Sequence, residues 1–244
     1  MFQFKQFFVQ DNNATMKVGT DSVLLGCLTN YATPQHILDI GTGCGVITLI
    51  MAQRFPYATI DAIDIDEGSI ADATENFGTC PWSDHLTPHL SALQQWDKDA
   101  HYDLIVSNPP YFVNSLKCPS EKRNKARHND TLPFDVLLFH ASRLLTAEGD
   151  FWCILPPTEA EEVTRLAKLN GLYCSERYHI HNKPDSAIRR TVLHFTKSAV
   201  SFCQEHHCNI RTNDNTYSDW YYQTTKDFYL WEERKSILSP PYTF

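Results

Sequence analysis

The chain has 244 residues, an apolar share of 42% and a formal net charge of −8. The apolar share is sufficient for a folded core, and no stretch approaches the roughly 18 uncharged apolar residues that a membrane-spanning helix needs. The acidic balance excludes a protein whose whole surface binds nucleic acid, although a local basic patch remains compatible with it. Eight scattered cysteines without a CxxC pair indicate free thiols in a reducing cytoplasm.

Apolar runs and helical patterns alternate along the chain. A short helix is expected over residues 20–31, with Thr20 or Asp21 as its N-cap. Alternation of this kind predicts an α/β, Rossmann-like fold, in which helices cover both faces of a mostly parallel sheet and ligands bind at the carboxyl ends of the strands. The predicted strands are 36–40, 59–65, 102–107, 151–155, 172–180 and 191–195, and the other predicted helices are 46–55, 67–77, 134–145 and 159–169.

A glycine loop follows the first predicted strand of the core. Its sequence runs from Asp39 through Gly41 and Gly43 to Gly45, with GxGxG spacing rather than the GxGxxG of dinucleotide folds. A carboxylate at this place repels a pyrophosphate and attracts an ammonium group, while Asp64, after the next strand, suits a ribose diol. Together these residues point to S-adenosylmethionine. The simpler interpretation is a tight strand-to-helix turn.

A second motif, Asn108-Pro109-Pro110-Tyr111-Phe112, follows the predicted strand 102–107. The prolines remove two N–H donors and leave carbonyl groups free to point outward. With the Asn108 amide oxygen, such acceptors bind the two hydrogens of an –NH₂ group and hold its nitrogen in line with a methyl sulfonium. Tyr111 and Phe112 offer aromatic faces to a planar substrate. The alternative is a proline-stiffened strand exit with two core aromatics.

Positive charge is concentrated just after this motif. Residues 117–127 carry five Lys or Arg against one acid, whereas the rest of the chain carries 16 basic and 28 acidic residues. Phosphates held there would give salt-sensitive binding, and an exposed anticodon-loop base needs little unpairing before it stacks in a pocket. A solvated loop explains the same run without a ligand.

The two motifs resemble those of class I methyltransferases that methylate the amino nitrogens of adenine, guanine or glutamine. A narrower resemblance, over residues 4–197, is to the bacterial valine-tRNA (adenine-37-N6) methyltransferases. It implies a seven-stranded class I sheet, S-adenosylmethionine as cofactor, tRNA as partner and a segment around Lys17–Asp21 lying over the cofactor. Where such relatives tend to have an acid for the cofactor's adenine amine, this chain has Leu90-Ser91-Ala92. The matching segments are 4–7, 16–26, 37–45, 108–112, 126–128 and 143–145, with Gly149 and 154–156.

These observations predict a methyltransferase acting on N6 of adenine 37 in the anticodon loop of a tRNA, with valine tRNA implied by the resemblance. The expected catalytic residues are Asn108, Pro109 and Tyr111. The expected cofactor-binding residues are Lys17, Thr20, Asp21, Asp39, Gly41, Gly43, Asp64, Ile65 and Asn108. The expected substrate-binding residues are Tyr111, Phe112, Arg123, Lys125, Arg127 and His128.

The expected organisation is a cofactor-covering segment over residues 1–34, a methyltransferase core over 35–198 and an unassigned extension over 199–244. We expect a cytoplasmic protein, with a monomer favoured and with neither DNA nor a membrane as partner. No metal is expected, because Cys203, His206, His207 and Cys208 match no standard zinc spacing, and Cys44 is interpreted as a small filler of the glycine loop.

Three alternatives remain open. The same chemistry on a protein glutamine occurs in release-factor methyltransferases, which share N-P-P-Y but carry a longer N-terminal helical domain than residues 1–34. Guanine-N2 methylation of ribosomal RNA is compatible with the basic loop. A non-catalytic module that binds S-adenosylmethionine or RNA is disfavoured by the intact N-P-P-Y, and Asp39 disfavours a nicotinamide dehydrogenase.

Overall fold

The structure is a computed structural model that describes residues 1–97, 102–110 and 132–231. Two short strands, β1 (Phe2–Gln3) and β2 (Phe8–Val9), form an antiparallel pair at the N-terminus. The strands of the main sheet are β3 (His36–Ile40), β4 (Thr59–Asp64), β5 (Leu86–Leu90), β6 (Tyr102–Ser107), β7 (Leu145–Leu155), β8 (Tyr173–His181), β9 (Ile188–Thr196) and β10 (Gln204–Asn209). The helices are α1 (Thr20–Leu28), α2 (Val46–Arg54), α3 (Glu67–Gly78), α4 (Phe134–Leu144), α5 (Pro157–Leu169) and α6 (Asp219–Thr225).

The sheet order over the described residues is β10-β8-β9-β7-β6-β3-β4-β5. Strands β3 to β7 pair in parallel, and β9 runs antiparallel to both β7 and β8. The expected α/β, Rossmann-like class is confirmed. The described sheet has eight strands rather than seven, because β10 adds in parallel to the edge of β8. Three of the six β10 residues are exposed, two are half-buried and only Cys208 is buried, so this edge strand lacks the apolar alternation that would predict it.

Two apolar layers cover the sheet. The α4 and α5 helices bury Leu137, Leu138 and Val163 on one face. On the other face, α1 and α2 pack with residues from both ends of the described chain. Parallel strands covered on both sides are apolar throughout, which explains why the central strands were predicted closely. Within the described ranges, no helix is both long and apolar enough to cross a membrane.

The start of α1 differs from the sequence-based expectation. Its N-cap is Gly19 in an extended conformation, without a side-chain capping bond, and Thr20 and Asp21 are its first helical residues. The prediction that Thr20 or Asp21 caps this helix is therefore wrong. The Asp21 carboxylate instead accepts a 2.6 Å bond from Nε of Arg190 at the start of β9, so this acid joins two elements that are distant in sequence.

The two ends of the described chain pack together beside α1 and α2. The backbone N–H of Lys5 donates to the carbonyl of Phe228 at 2.8 Å, and the Phe4 ring stacks on Tyr229 with centroids 5.8 Å apart. Helix α6 contacts both α1 and β10. The region after residue 199, which the sequence left unassigned, thus joins the same packed body as far as Trp231.

Candidate active site

Three loops that carry the sequence motifs leave the sheet at the same edge, the one formed by the carboxyl ends of its parallel strands. They follow β3, β4 and β6, which are parallel neighbours in register: Ile40 is opposite both Ile63 and Ser107. The Ser107 hydroxyl donates to the Ile40 carbonyl at 2.8 Å and ties the ends of β3 and β6 together. Since ligands of such sheets bind beyond the carboxyl ends of the strands, this edge is the candidate active site.

The glycine loop is wound so that its backbone faces open space. Gly41, Gly43 and Gly45 all have positive φ, at +74°, +56° and +85°. A Cβ at Gly41 or Gly43 would have no described atom within 4 Å, whereas one at Gly45 would overlap the Phe77 ring of α3. The first two glycines therefore leave room for a ligand against the backbone, and the third is required for packing.

Asp39 lies beneath this loop and is fully buried. Its Oδ2 accepts hydrogen bonds of 2.8 Å from the hydroxyls of Thr42 and Thr48, which sequence reasoning had missed. Its Oδ1 is buried with no hydrogen-bond partner among the described residues. Burial raises the pKa of Asp39 to about 6. The hydrogen bonds from Thr48 and Thr42 act in the opposite direction and lower this pKa, whereas the charge of nearby Asp64 raises it. Above that pH the carboxylate places a negative charge under the loop.

Asp64 lies at the end of β4, beside the glycine loop. Its Oδ2 accepts from the Gly43 backbone N–H at 2.9 Å and its Oδ1 from the Asp66 N–H at 3.0 Å. Each carboxylate oxygen can accept more than one bond, so both retain capacity for a ribose hydroxyl. Ile65 follows with 56% of its surface exposed, and the Ser91 N–H donates to the Asp64 carbonyl at 2.9 Å. The structure thus brings an acid and an exposed apolar side chain to the rim of the loop.

The Asn108 turn begins where β6 ends, next to the glycine loop. The Asn108 side-chain amide donates to the Ser22 hydroxyl of α1 at 3.0 Å, which leaves the amide oxygen as an acceptor. Pro109 is buried and Pro110 is exposed. Ser22 had been assigned no role from the sequence, because nothing in its local pattern indicates a partner 86 positions away.

The N-terminal segment packs across α3 toward the glycine loop. Asp72 accepts bonds of 2.8 Å from the backbone N–H groups of both Asn13 and Ala14. The side-chain amide of Asn76 donates to the carbonyls of Gln10 and Cys44, both at 2.8 Å. One side chain therefore joins this segment to the loop. Burial raises the pKa of Cys44 to about 12, so it remains a thiol, consistent with its interpretation as a filler.

Lys17 and Thr20 are exposed at the end of this segment. The Lys17 ammonium donates to the carbonyls of Asp11 and Asn12, and the Asp11 carboxylate accepts from the Val18 N–H at 3.1 Å. The lysine thus closes the turn at residues 11–18. The remaining predicted site residues lie outside the described ranges: Tyr111, Phe112, Arg123, Lys125, Arg127 and His128.

The residues present suit the cofactor that the motifs suggest. Gly41 and Gly43 leave an open cradle, Asp39 holds an unpartnered buried acceptor beneath it, and Asp64 stands at its rim. With a glycine loop after β3, an acid after β4 and an Asn-Pro-Pro turn after β6 of this sheet, the protein is a class I methyltransferase that uses S-adenosylmethionine.

Comparison with known proteins narrows this class. The methyltransferase small domain family model matches residues 13–158. A tRNA1(Val) (adenine(37)-N6)-methyltransferase of Phocaeicola vulgatus is 44% identical, with 94% of this chain and 97% of that protein covered. Its counterpart in Pedobacter heparinus is 41% identical at the same coverage of both. The chain belongs to this family of tRNA1(Val) (adenine(37)-N6)-methyltransferases.

Solved structures agree at the level of the fold. A predicted O-methyltransferase from Agrobacterium tumefaciens superimposes with a TM-score of 0.66, covering 85% of this chain and 96% of that one. Its sequence identity is 17%, so the similarity extends to the fold alone.

Proposed function

We propose that this protein methylates N6 of adenine 37 in the anticodon loop of a tRNA, and that the tRNA is a valine acceptor. The main structural support for this chemistry is the position of the Asn108 turn, which follows β6 and lies beside the open glycine loop. The substrate rests on the names of relatives that cover 94% of the chain. A cytoplasmic location and a monomeric state belong to the same proposal.

When bound, S-adenosylmethionine supplies an electrophilic methyl group on a positively charged sulfur. We assign the ribose hydroxyls to Asp64, the adenine face to Ile65 and the backbone approach to Gly41 and Gly43. Asp39 is fully buried, so it favours the ammonium of the methionine part through its charge and through the loop shape that Thr42 and Thr48 maintain. The remaining cofactor contacts are assigned to the covering segment: Lys17, Thr20 and Asp21.

Asn108 and Pro109 orient the nucleophile. The Asn108 amide oxygen and the Pro109 carbonyl accept the two N–H groups of the adenine amine, which turns the nitrogen lone pair out of the ring plane and toward the methyl group. Bound S-adenosylmethionine would supply the methyl group to this nitrogen as its sulfur–carbon bond breaks, and the amine would then lose one proton to solvent. Tyr111 and Phe112 stack the base, and Arg123, Lys125, Arg127 and His128 bind phosphates.

The decisive experiment is transfer of a tritiated methyl group to total tRNA from a strain that lacks this gene, followed by separation of nucleosides. We expect label in N6-methyladenosine, and a single labelled tRNA species whose sequence identifies it as a valine acceptor. If the tRNA stays unlabelled, the same assay with release factors and with ribosomal RNA tests the alternatives. Label in a protein band, in ribosomal guanine or in no macromolecule would contradict the proposal and support the corresponding alternative.

The Asn108→Ala variant tests the assigned chemistry. We expect the rate of transfer at saturating substrate to fall by about 100-fold or more, since a positioned acceptor is lost from the transition state. Affinity for S-adenosylhomocysteine, measured by calorimetry, is expected to stay near the wild-type value. An equal loss of binding and turnover would mean that Asn108 supports the cofactor pocket instead.

A further inference from the structure

A cluster of three histidines and one glutamate lies on the surface of the sheet where β8 and β10 pair. His207 is directly opposite His179; His181 lies two residues after His179 on β8, and Glu205 lies two residues before His207 on β10. Side chains two residues apart on a strand share a face, so all four are on the same side of the sheet. Sequence spacing predicts no metal site here, because the ligand types come from strands that only pairing brings together.

The potential ligand atoms converge. One atom each from His179, Glu205 and His207 lie within 4.8 Å of one another, and His179 Nε2 is 3.9 Å from the nearer Glu205 oxygen. His181 Nε2 is 3.0 Å from His207 Nδ1. Two ligands of one zinc ion are separated by about 3–4 Å, since zinc–nitrogen bonds are about 2.0–2.1 Å long. The atoms of His179, Glu205 and His207 lie near that spacing, whereas His181 is outside this group of three and approaches it through His207.

Neighbouring groups already orient the histidine rings. His181 Nδ1 is 2.6 Å from the Ser186 carbonyl; a carbonyl only accepts, so Nδ1 carries the proton and the Nε2 lone pair faces the cluster. His179 Nδ1 is 3.3 Å from the Thr191 hydroxyl, which leaves its Nε2 toward Glu205. Metal-ligating histidines commonly use their second nitrogen in this way.

We propose that His179, Glu205 and His207 bind one zinc ion, with water as the fourth ligand and with His181 orienting the His207 ring. Two neutral imidazoles and one carboxylate form a ligand set that suits zinc. One Glu205 oxygen lies 4.0 Å from the Arg177 guanidinium, which leaves the other oxygen for the metal. The ion links β10 to β8 and so fastens the C-terminal part of the fold to the sheet.

Titration of the metal-free full-length protein with zinc tests the proposal. We expect one saturable site per chain by calorimetry and a rise in melting temperature on addition of zinc. Cobalt, used as a spectroscopic substitute, is expected to show the visible bands of a tetrahedral site with nitrogen and oxygen ligands, without a thiolate charge-transfer band. That last feature separates this site from Cys174 and Cys203, whose sulfurs are 3.4 Å apart.

Variants assign the ligands. His207→Gln is expected to weaken zinc binding by about 100-fold or more. His181→Gln and Thr191→Val, which remove partners of His207 and His179, are each expected to weaken it by about 10-fold. The matched control is His206→Gln, because His206 precedes His207 on the same strand but contacts Glu176 on the other face. Its zinc affinity is expected to equal that of the wild type.

Three results would overturn the proposal. They are the absence of saturable binding at micromolar zinc, unchanged affinity in the His207→Gln variant, and a thiolate band that Cys203→Ser abolishes. Circular dichroism of each variant without metal verifies that it is folded, so a lost site is distinguished from a lost structure.

Discussion

At the scale of single residues, the two oxygens of the Asp39 carboxylate differ in their hydrogen bonding. Asp39 has one oxygen held by two threonine hydroxyls and another without a partner among the described residues. A buried acceptor in this state raises the free energy of the folded protein when it is ionised. A ligand with a positive charge on the other side of the loop offsets that cost, which links stability to cofactor binding at this residue.

The Asp39→Asn variant tests this link. The folded pKa of about 6 exceeds the unfolded value of 3.8, so the contribution of this carboxyl to stability is fully present below pH 4 and is lost as the pH rises through 6. Relative to the wild type, the unfolding free energy of the variant should therefore rise by about 2 kcal/mol between pH 4.5 and pH 8. Urea denaturation at both pH values measures it.

The same variant should bind S-adenosylhomocysteine about tenfold more weakly at pH 8, because the attraction between the Asp39 charge and the ligand ammonium is lost. At pH 4.5, where the wild-type carboxyl is protonated, the two proteins should bind alike. A stability difference that does not change with pH would show that Asp39 is ionised throughout this range.

At the scale of elements, the glycine loop serves two purposes. Gly41 and Gly43 face open space, whereas Gly45 is the N-cap of α2 and abuts the Phe77 ring of α3. The GxGxG spacing predicted the loop but did not distinguish these roles, since the role of Gly45 depends on Phe77, which lies 32 residues farther along the chain. Packing of α3 against the loop therefore decides which glycines are free for the cofactor.

Paired substitutions separate the two purposes. Gly45→Ala is expected to cost about 2–4 kcal/mol of unfolding free energy, from the left-handed backbone and from overlap with Phe77. Gly43→Ala is expected to cost about 1–2 kcal/mol, from the backbone alone, and to reduce cofactor affinity. Urea denaturation and calorimetry provide the two readings. Equal losses of stability would mean that Phe77 moves aside without cost.

At the scale of the whole molecule, the two ends of the described chain close one face of the sheet. Phe4 is almost fully buried, stacks on Phe7 with centroids 4.6 Å apart, and contacts Tyr229. The N-terminal segment, which crosses the active-site edge at residues 10–18, is thus anchored to the C-terminal segment. We expect one cooperative unfolding transition for the protein.

The Phe4→Ala variant tests this coupling. It should lower the unfolding free energy by about 3–5 kcal/mol, as a buried aromatic ring is lost. Phe8→Ala is the control, because Phe8 is 49% exposed and its loss should change stability by about 0.5 kcal/mol or less. Calorimetric scanning measures both. A separate early transition in the wild type would show that the chain ends fold independently of the sheet.

The central strands and the cofactor motifs were determined by the sequence itself. The runs at 36–40 and 102–107 were predicted with the bounds that the structure has, because strands covered on both faces must be apolar throughout. Edge strands are not subject to this constraint: β5 contains Pro88, and β10 has a single buried residue. Local sequence therefore specified the middle of the sheet and left its edges open.

Other features were decided only by the tertiary structure. The partners of Asp21, Asn108 and His207 are Arg190, Ser22 and His181, which lie 169, 86 and 26 positions away along the chain. No local pattern encodes such contacts, since they arise when strands pair and helices pack. Glycine spacing specifies a cofactor loop because a backbone conformation is a local property. A hydrogen-bond partner, or a group of metal ligands from two strands, exists only after the sheet has formed.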